Sequence, residues 1–200
     1  MPSRLAVAFA LIVSIFLHGC AQQPLSPVDN FERYRQALTK VEDWRLQGKM
    51  NLRVPGESET VRVNWSNSAE NYSIRLSGSL GIGATWIRGD ASGVRMERSG
   101  EETIFAATPE DLVYTLLGRD LPISDLHYWV RGIPATFPRP DALEFAPEGM
   151  LTHLNQAGWS LEYSDFQAVG AWNLPGKIIA RRDDLRLTLL ISNWSLDAVH

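Results

Sequence analysis

The 200-residue chain has very little cysteine, little histidine and no long run of charge of one sign. A single cysteine excludes an intrachain disulfide and a cysteine-based zinc knuckle. Lys and Arg number 19 against 23 Asp and Glu, and this net charge of −4 argues against a nucleic-acid partner. Apolar residues make up 44% and charged residues 21%, as in ordinary globular domains. The composition therefore predicts a single folded domain.

Signals of catalysis are also scarce. His127 and His153 are the interior histidines, and neither has a metal-type partner three or four residues away. The sequence contains no Gly-x-Ser-x-Gly elbow. Gly78, Gly81 and Gly83 lie in a turn between strands, without the lysine and the helix that a phosphate loop needs. We therefore predict a protein that is not an enzyme and that needs no metal or cofactor.

The longest apolar run stands at the N-terminus. Leu5 to Leu17 follow Arg4 without a charged residue. As a helix this run covers only about 20 Å, short of a ~30 Å hydrocarbon core, which is typical of a signal peptide. The run ends in Leu-His-Gly-Cys, which resembles a bacterial lipobox. We predict a signal peptide over residues 1–19 and a lipid anchor on Cys20; an ordinary signal peptide with an unrelated cysteine is the alternative.

Residues 20–28 are predicted to form a lipidated tether. They carry Pro24 and Pro27 and show no hydrophobic period, so an extended segment is expected. Ala21, rather than Asp, follows the cysteine, which resembles the pattern of lipoproteins sent to the outer membrane. Residues 29–200 show no internal repeat and are predicted to form one domain.

Alternating polarity over most of the body predicts an antiparallel sheet. Apolar and polar side chains alternate from Trp44 to Val54, and the alternation returns over residues 60–65 and 72–77 after a Pro55-Gly56 turn. Further short strands are predicted over residues 86–88, 94–97, 103–106, 151–163 and 177–194. About ten strands with one apolar face each would curl strongly.

Three short helices complete the predicted pattern. The first carries apolar residues at spacings of three and four and is expected to be capped by Asp29 or Asn30. The second begins at Thr108, and the third runs from Ile123 toward Gly132. These helices can cover a curled sheet only in part, so an apolar cavity suited to a ligand is predicted on its concave side.

One glycine-rich turn carries an apolar tip. Leu80 stands between Ser79 and Gly81, although turn tips usually carry polar residues because they face water. The sequence alone leaves two alternatives open for Leu80. Its side chain folds back onto the sheet, or it protrudes from the turn.

Several short motifs occur in a characteristic order along the mature chain. They are Gly48-Lys49, Trp65, Ser79-Leu80-Gly81, Leu121-Pro122, Leu126, Tyr128-Trp129, Gly132, Gln156-Ala157-Gly158-Trp159, Leu174-Pro175-Gly176-Lys177 and Asn193-Trp194. With the lipobox and the tether, this order resembles the LolB family of outer-membrane lipoprotein receptors of Gram-negative bacteria. The resemblance covers essentially the whole mature chain.

The resemblance implies a mostly β fold with a few helices: an incomplete, unclosed antiparallel β-barrel with a helical lid over an apolar cavity. It implies a monomer, lipid-anchored at the periplasmic face of the outer membrane. Such proteins accept acylated lipoproteins from a LolA-type carrier and insert them into that membrane.

The resemblance also implies site residues. Trp65, Trp129 and Trp159 match family positions and are expected to contact acyl chains in the cavity. Leu80 and Gly81 are expected to form a turn that inserts into the membrane during transfer. The alternative is an outer-membrane-anchored lipid-binding or envelope-assembly lipoprotein that does not pass its cargo on.

Overall fold

The computed structural model describes residues 26–78 and 83–196, which form three helices and 13 strands. The helices are α1 (Pro27–Thr39), α2 (Pro109–Leu117) and α3 (Ile123–Trp129). The strands are β1 (Trp44–Val54), β2 (Glu57–Ser68), β3 (Asn71–Ser77), β4 (Thr85–Asp90), β5 (Gly93–Arg98), β6 (Ile104–Ala106), β7 (Ala142–Phe145), β8 (Leu151–Gln156), β9 (Trp159–Ser164), β10 (Gln167–Val169), β11 (Trp172–Leu174), β12 (Lys177–Arg182) and β13 (Leu185–Leu196). Within the described ranges, no helix is both long and apolar enough to cross a membrane.

Eleven strands form one antiparallel sheet in the order β6-β5-β4-β3-β2-β1-β13-β12-β9-β8-β7, and β10 pairs with β11 as a separate hairpin. The two edge strands, β6 and β7, each pair with one neighbour, so the sheet is unclosed. A sheet this wide curls because of its twist, and one of its faces becomes concave. This architecture confirms the predicted fold class.

The alternation of buried and exposed side chains in β1 shows which face of the sheet is covered by the core. Trp44 and Leu46 are buried, whereas Arg45 and Gln47 between them are exposed. Leu46 lies opposite Trp65 of β2, so the buried side chains of neighbouring strands share one face. The predicted alternation is therefore confirmed, and the apolar face is the concave one.

Helices α1 and α3 pack on the concave face, and the main core lies between them and the sheet. Phe31 and Leu38 of α1 and Trp129 of α3 are fully or almost fully buried there. Helix α2 covers the β5 end of the sheet, where Leu112 packs with Val94. Its predicted cap is confirmed, since the Thr108 hydroxyl accepts a hydrogen bond from the Asp111 amide at 3.1 Å.

Two details differ from the sequence-based expectation. The predicted Asp29 or Asn30 cap is wrong: α1 begins at Pro27, and the Ser26 hydroxyl caps it by accepting from the Asp29 amide at 3.2 Å. Proline is favoured at the first helical position because its fixed φ suits the helix, so the end of the predicted tether is helical. Strand β7 and the β10–β11 hairpin also lie outside the predicted strands.

Candidate functional site

Aromatic side chains join the concave face of the sheet to α3. The Trp44 ring centroid lies 5.3 Å from that of Trp65, 5.4 Å from that of His127 on α3 and 6.0 Å from that of Trp194 on β13. Tilted aromatic pairs at these distances stabilise packing beyond their area of contact. Aromatic packing therefore fixes α3 on the central strands of the sheet.

The structure places the three tryptophans predicted to contact acyl chains in this packed core. Trp65 is 7% exposed, Trp129 is 0% exposed and Trp159 is 3% exposed. It brings two of them together, because the Trp129 and Trp159 ring centroids are 6.3 Å apart. Trp65 instead packs on Trp44. Their contact with a bound acyl chain stays a prediction.

Gln156 holds the C-terminal end of α3 to the sheet. Its Oε1 accepts from Trp129 Nε1 at 2.8 Å and from the Ala135 amide at 2.9 Å. Its Nε2 donates to the carbonyl oxygens of Ala135 at 2.9 Å and of Pro138 at 2.5 Å. Gln156 is fully buried, and its amide is satisfied at both ends.

Arg131 links α3 to α1 from the same end. Its Nη1 donates to the carbonyl oxygens of Leu38 at 3.1 Å and of Val41 at 3.2 Å, and its Nε donates to that of His127 at 3.2 Å. The guanidinium lies over the Trp44 ring at 5.7 Å from its centroid. Burial lowers the pKa of Arg131 to about 10, so the group is still charged at neutral pH.

His127 is a partly buried histidine that carries no charge at neutral pH. Burial, with the neighbouring Arg131 charge, lowers the pKa of His127 to about 4. A neutral ring fits its place against Trp44 and Tyr128. Among the described residues, no group of three or more His, Cys, Asp or Glu side chains is arranged to hold a metal ion.

Further along the strands the concave face carries apolar side chains that are only partly buried. We call this set the open apolar face: Met50, Leu52 and Val54 of β1, Leu76 of β3 and Ile87 of β4. It is continuous with the core, since Met50 lies opposite Leu189 and Leu52 opposite Leu187 on β13. An apolar surface that still reaches solvent can take up hydrocarbon at a gain of about 0.8 kcal/mol per buried CH₂.

The open apolar face was not singled out as a site by sequence reasoning, which placed the binding residues on the tryptophans. The signal that could have found it is the alternation of β1, which continues beyond Gly48 to the end of the strand. Cys20, Leu80 and Gly81 lie outside the described residues. The strands flanking the predicted inserting turn pair as far as Leu76 and Thr85, so Leu76 lies in the last pair before it.

Comparison with known proteins gives consistent matches. Residues 42–194 match the protein family described as "Outer membrane lipoprotein LolB". The outer-membrane lipoprotein LolB of Cellvibrio japonicus is 37% identical over 198 residues, which cover 96% of this chain and 98% of that one. The protein of the same name from Stutzerimonas stutzeri is 34% identical over 201 residues, with 96% of each chain covered.

Solved structures share the fold at low sequence identity. A LolA superfamily protein from Nitrosomonas europaea superposes with a TM-score of 0.54 at 8% identity, over 88% of this chain and 96% of that one. A putative outer membrane lipoprotein-sorting protein domain from Vibrio parahaemolyticus gives 0.55 at 8% identity, over 85% and 92%. At this identity the likeness shows the fold alone.

Proposed function

The chain belongs to the outer-membrane lipoprotein LolB family, and from this premise we propose that it accepts acylated lipoproteins from a LolA-type carrier and inserts them into the outer membrane. The observation that carries the proposal is the open apolar face. Partly buried apolar side chains continue the core along the concave side of an unclosed sheet. Acyl chains would lie there against Met50 and Leu52.

The transfer would be driven by differences in affinity and needs no catalysed reaction. Three acyl chains gain about 0.8 kcal/mol for each CH₂ removed from water, so they do not cross the periplasm exposed. The concave face must bind them better than the carrier does and less well than the bilayer does. A surface that buries the chains only partly meets the second condition, because the bilayer covers them completely.

Helix α3 would serve as the lid in this mechanism. Arg131 and Gln156 fix its C-terminal end to α1 and to β8. Its other end carries Ile123 and Leu126, which are only partly buried. This end is joined to α2 by exposed hydrogen bonds, in which Glu110 accepts from the Ser124 amide at 2.7 Å and hydroxyl at 3.2 Å. We expect acyl chains to enter under this less firmly held end.

A transfer assay tests the proposal directly. The purified protein is mixed with a carrier loaded with a lipoprotein, and then with liposomes. We expect it to take up the lipoprotein and to release it into the liposomes. Retention of the cargo in the presence of liposomes would instead support the alternative of a lipid-binding lipoprotein that does not pass cargo on.

A matched pair of variants locates the binding face. Leu52→Glu puts a charge on the open apolar face and should abolish uptake from the carrier. Leu190→Glu is the same exchange on β13 at an exposed site, 45% exposed and facing away from the core, and should leave uptake unchanged. Thermal unfolding of both variants checks the fold. Normal uptake by a folded Leu52→Glu protein would contradict this location.

The three core tryptophans provide a second test of the site. We propose that at least two of Trp65, Trp129 and Trp159 contact acyl chains once α3 has moved. Single-Trp variants that keep one of them should show a shift of indole emission on titration with a fatty acid. If none of the three shifts, the tryptophans are core residues only.

The membrane anchor is part of the proposal. We propose that Cys20 is lipidated after removal of residues 1–19 and holds the protein at the periplasmic face of the outer membrane. Cys20→Ala with a conventional cleavage site should give a folded periplasmic protein that no longer fractionates with the outer membrane. Unchanged fractionation would show that another feature retains the protein.

A further inference from the structure

The central strands of the sheet carry cations on the convex face, although the chain as a whole is net acidic at −4 and the flanking strands carry outward acids such as Glu97 and Glu162. The outward positions of the adjacent strands β12, β13, β1, β2 and β3 carry Lys and Arg but no Asp or Glu in this described part of the chain. We call the central group the convex cationic face: Lys49, Arg53, Arg62, Arg75, Lys177 and Arg186. The acidic residues of the chain are therefore concentrated elsewhere.

Strand register places like charges directly opposite one another on this face. Lys49 of β1 lies opposite Arg62 of β2, and Arg53 lies opposite Arg186 of β13. Opposed side chains have Cβ atoms about 4.5–5.5 Å apart, and like charges there are destabilising. Among the described residues, none of these four cations forms a salt bridge with a carboxylate. Anions bound from outside would reduce the repulsion within both pairs.

A groove lies at the centre of the convex cationic face. It has a volume of about 510 Å³ and lies at a register shift between β1 and β13, where Gln47 pairs with Asn193, Gly48 pairs with Ile191, and Ser192 of β13 is the extra residue. Lys49 and Arg62 supply positive charge to the groove, and the polar side chains Gln47, Asn64 and Ser192 line it. The exposed Leu190 stands at its side. The cations suit a phosphate group, the polar side chains suit its ester oxygens, and Leu190 suits the hydrocarbon attached to it.

A second feature of the same face is typical of membrane surfaces. Trp86 of β4 lies opposite Arg75 and is only partly buried. The guanidinium carbons of Arg75 and Arg88 lie over its ring, at 5.5 Å and 4.8 Å from the centroid. Arg88 is also paired with Glu97, which lies opposite Trp86, so Arg75 is the cation at the ring that has no carboxylate partner among the described residues. Tryptophan is enriched at the level of lipid headgroups, where an amphipathic ring is favoured.

We propose that the convex cationic face binds the headgroups of anionic phospholipids in the membrane that carries the protein. This goes beyond the proposed function, because it concerns the face opposite the acyl site and needs no cargo. Residues 21–25, between the proposed anchor and Ser26, can span at most about 20 Å, which keeps the domain at the bilayer. The cations are spread over several strands, which matches a charged plane better than the compact footprint of an acidic protein.

The strength of the interaction can be estimated from the charges. Each Lys or Arg close to an anionic membrane surface increases the affinity roughly fivefold, and the attraction falls off within a Debye length of about 8 Å. Neutralising Lys49 and Arg62 together should therefore weaken binding roughly 25-fold. It should not destabilise the fold, because it removes a repulsion.

The test uses the mature chain with Cys20→Ala, so that binding reports the domain and not the anchor. Sedimentation with vesicles of phosphatidylcholine and phosphatidylethanolamine is compared with sedimentation after phosphatidylglycerol is added. We expect binding only with phosphatidylglycerol, and weaker binding as salt is raised. Lys49→Gln with Arg62→Gln should lose most of it. Arg33→Gln with Lys40→Gln removes the same charge from exposed positions in α1 and directly after it, and should bind as the parent protein does.

Three outcomes would overturn the proposal. Binding that is independent of phosphatidylglycerol would show that charge attraction does not drive it. Equal losses of binding in both double variants would show that only the net charge of the protein matters, and not the convex cationic face. Unchanged vesicle binding by the Lys49 and Arg62 variant, together with lost binding to a LolA-type carrier, would assign the face to an acidic protein. Fatty-acid titration of the same variants reports the concave face separately, so the failure of one proposal can be told from the failure of the other.

Discussion

At the scale of single residues, two buried polar side chains hold the concave side of the molecule together. Gln156 does so with a neutral amide and Arg131 with a charge, and both bind mainly backbone groups. Backbone amides and carbonyls that lose such partners in the interior are costly, at about 1–3 kcal/mol each. Both residues are therefore expected to contribute more to stability than exposed polar residues do.

Gln156→Leu should be strongly destabilising. The substitution keeps the volume but leaves Trp129 Nε1, the Ala135 amide and two carbonyl oxygens without their partner. We expect the free energy of unfolding to fall by about 3 kcal/mol. Denaturant unfolding measures it, with Gln36→Leu on the exposed side of α1 as the control. A loss below about 1 kcal/mol would mean that water replaces the amide.

The pKa of His127 makes stability depend on pH. Its value falls from 6.5 to about 4 in the folded chain, so the unfolded chain binds more protons between these two values. Stability should therefore be complete above pH 6.5 and should decrease as the pH falls toward 4, by up to about 3 kcal/mol. His127→Phe keeps a ring against Trp44 and should lack this part of the pH dependence. Parallel stability curves for the two proteins would contradict the assignment.

At the scale of elements, α3 is held unevenly along its length. Its C-terminal end is fixed by aromatic rings and by buried hydrogen bonds of Arg131 and Gln156, while its N-terminal end makes partly buried apolar contacts and exposed hydrogen bonds from Ser124 to Glu110. Segments with few buried contacts open locally at lower free energy than the rest of a domain. Movement of α3 is therefore expected to begin at Ile123 and to pivot about residues 129–131.

Arg131→Met should loosen this pivot. The change removes the donors to the Leu38 and Val41 carbonyl oxygens, and so separates the end of α1 from the end of α3. We expect faster amide hydrogen exchange in both helices and a loss of about 1–3 kcal/mol in stability. Arg33→Met, at an exposed site of α1, is the control. Unchanged amide hydrogen exchange in α3 would show that the aromatic contacts, and not Arg131, fix the C-terminal end of this helix.

The sequence predicted those helices and strands whose local residue pattern is sufficient to identify them. Strand β1 alternates over its full length, and α2 has a cap, an early proline and a terminal glycine. Strand β7 has four residues and follows several prolines, so its strand state depends on a distant contact, the 4.8 Å pair of the Phe31 and Phe145 rings. The cap of α1 was misplaced because three residues within five positions, Ser26, Asp29 and Asn30, are all of types that cap helices well.

At the scale of the whole molecule, the two faces of one sheet differ in chemistry. The concave face is mainly apolar and is covered in part by helices, and the central strands of the convex face carry cations. Alternation in the sequence was enough to predict an apolar face, but not where the helices dock on it. The tryptophans were predicted to be acyl contacts from the family resemblance. The structure shows all three buried in the core, with the open apolar face further along the strands, and their contact with acyl chains stays a prediction.

Leu80→Glu should separate acceptance of cargo from its delivery. An exposed leucine that enters the bilayer gains about 1.5–3 kcal/mol, enough to direct a tethered domain but not to anchor it. We expect stability within about 1 kcal/mol of the parent, normal uptake from a LolA-type carrier and failed insertion into liposomes. Leu80→Ile should deliver normally. Unfolding or blocked uptake in Leu80→Glu would make Leu80 a core or carrier-contact residue.

The pairing of β1 with β13 also governs how the protein folds. Trp44 pairs with Leu196, so the two middle strands of the sheet come from opposite ends of the domain. The hairpins on either side of this pair can form from residues that are close in the sequence. Pairing of β1 with β13 instead joins residues about 150 positions apart, which slows folding. Until the last strand arrives, β1 presents an unpaired edge that favours aggregation. Because synthesis proceeds from the N-terminus, β1 stays without its β13 partner until residues 185–196 have been made.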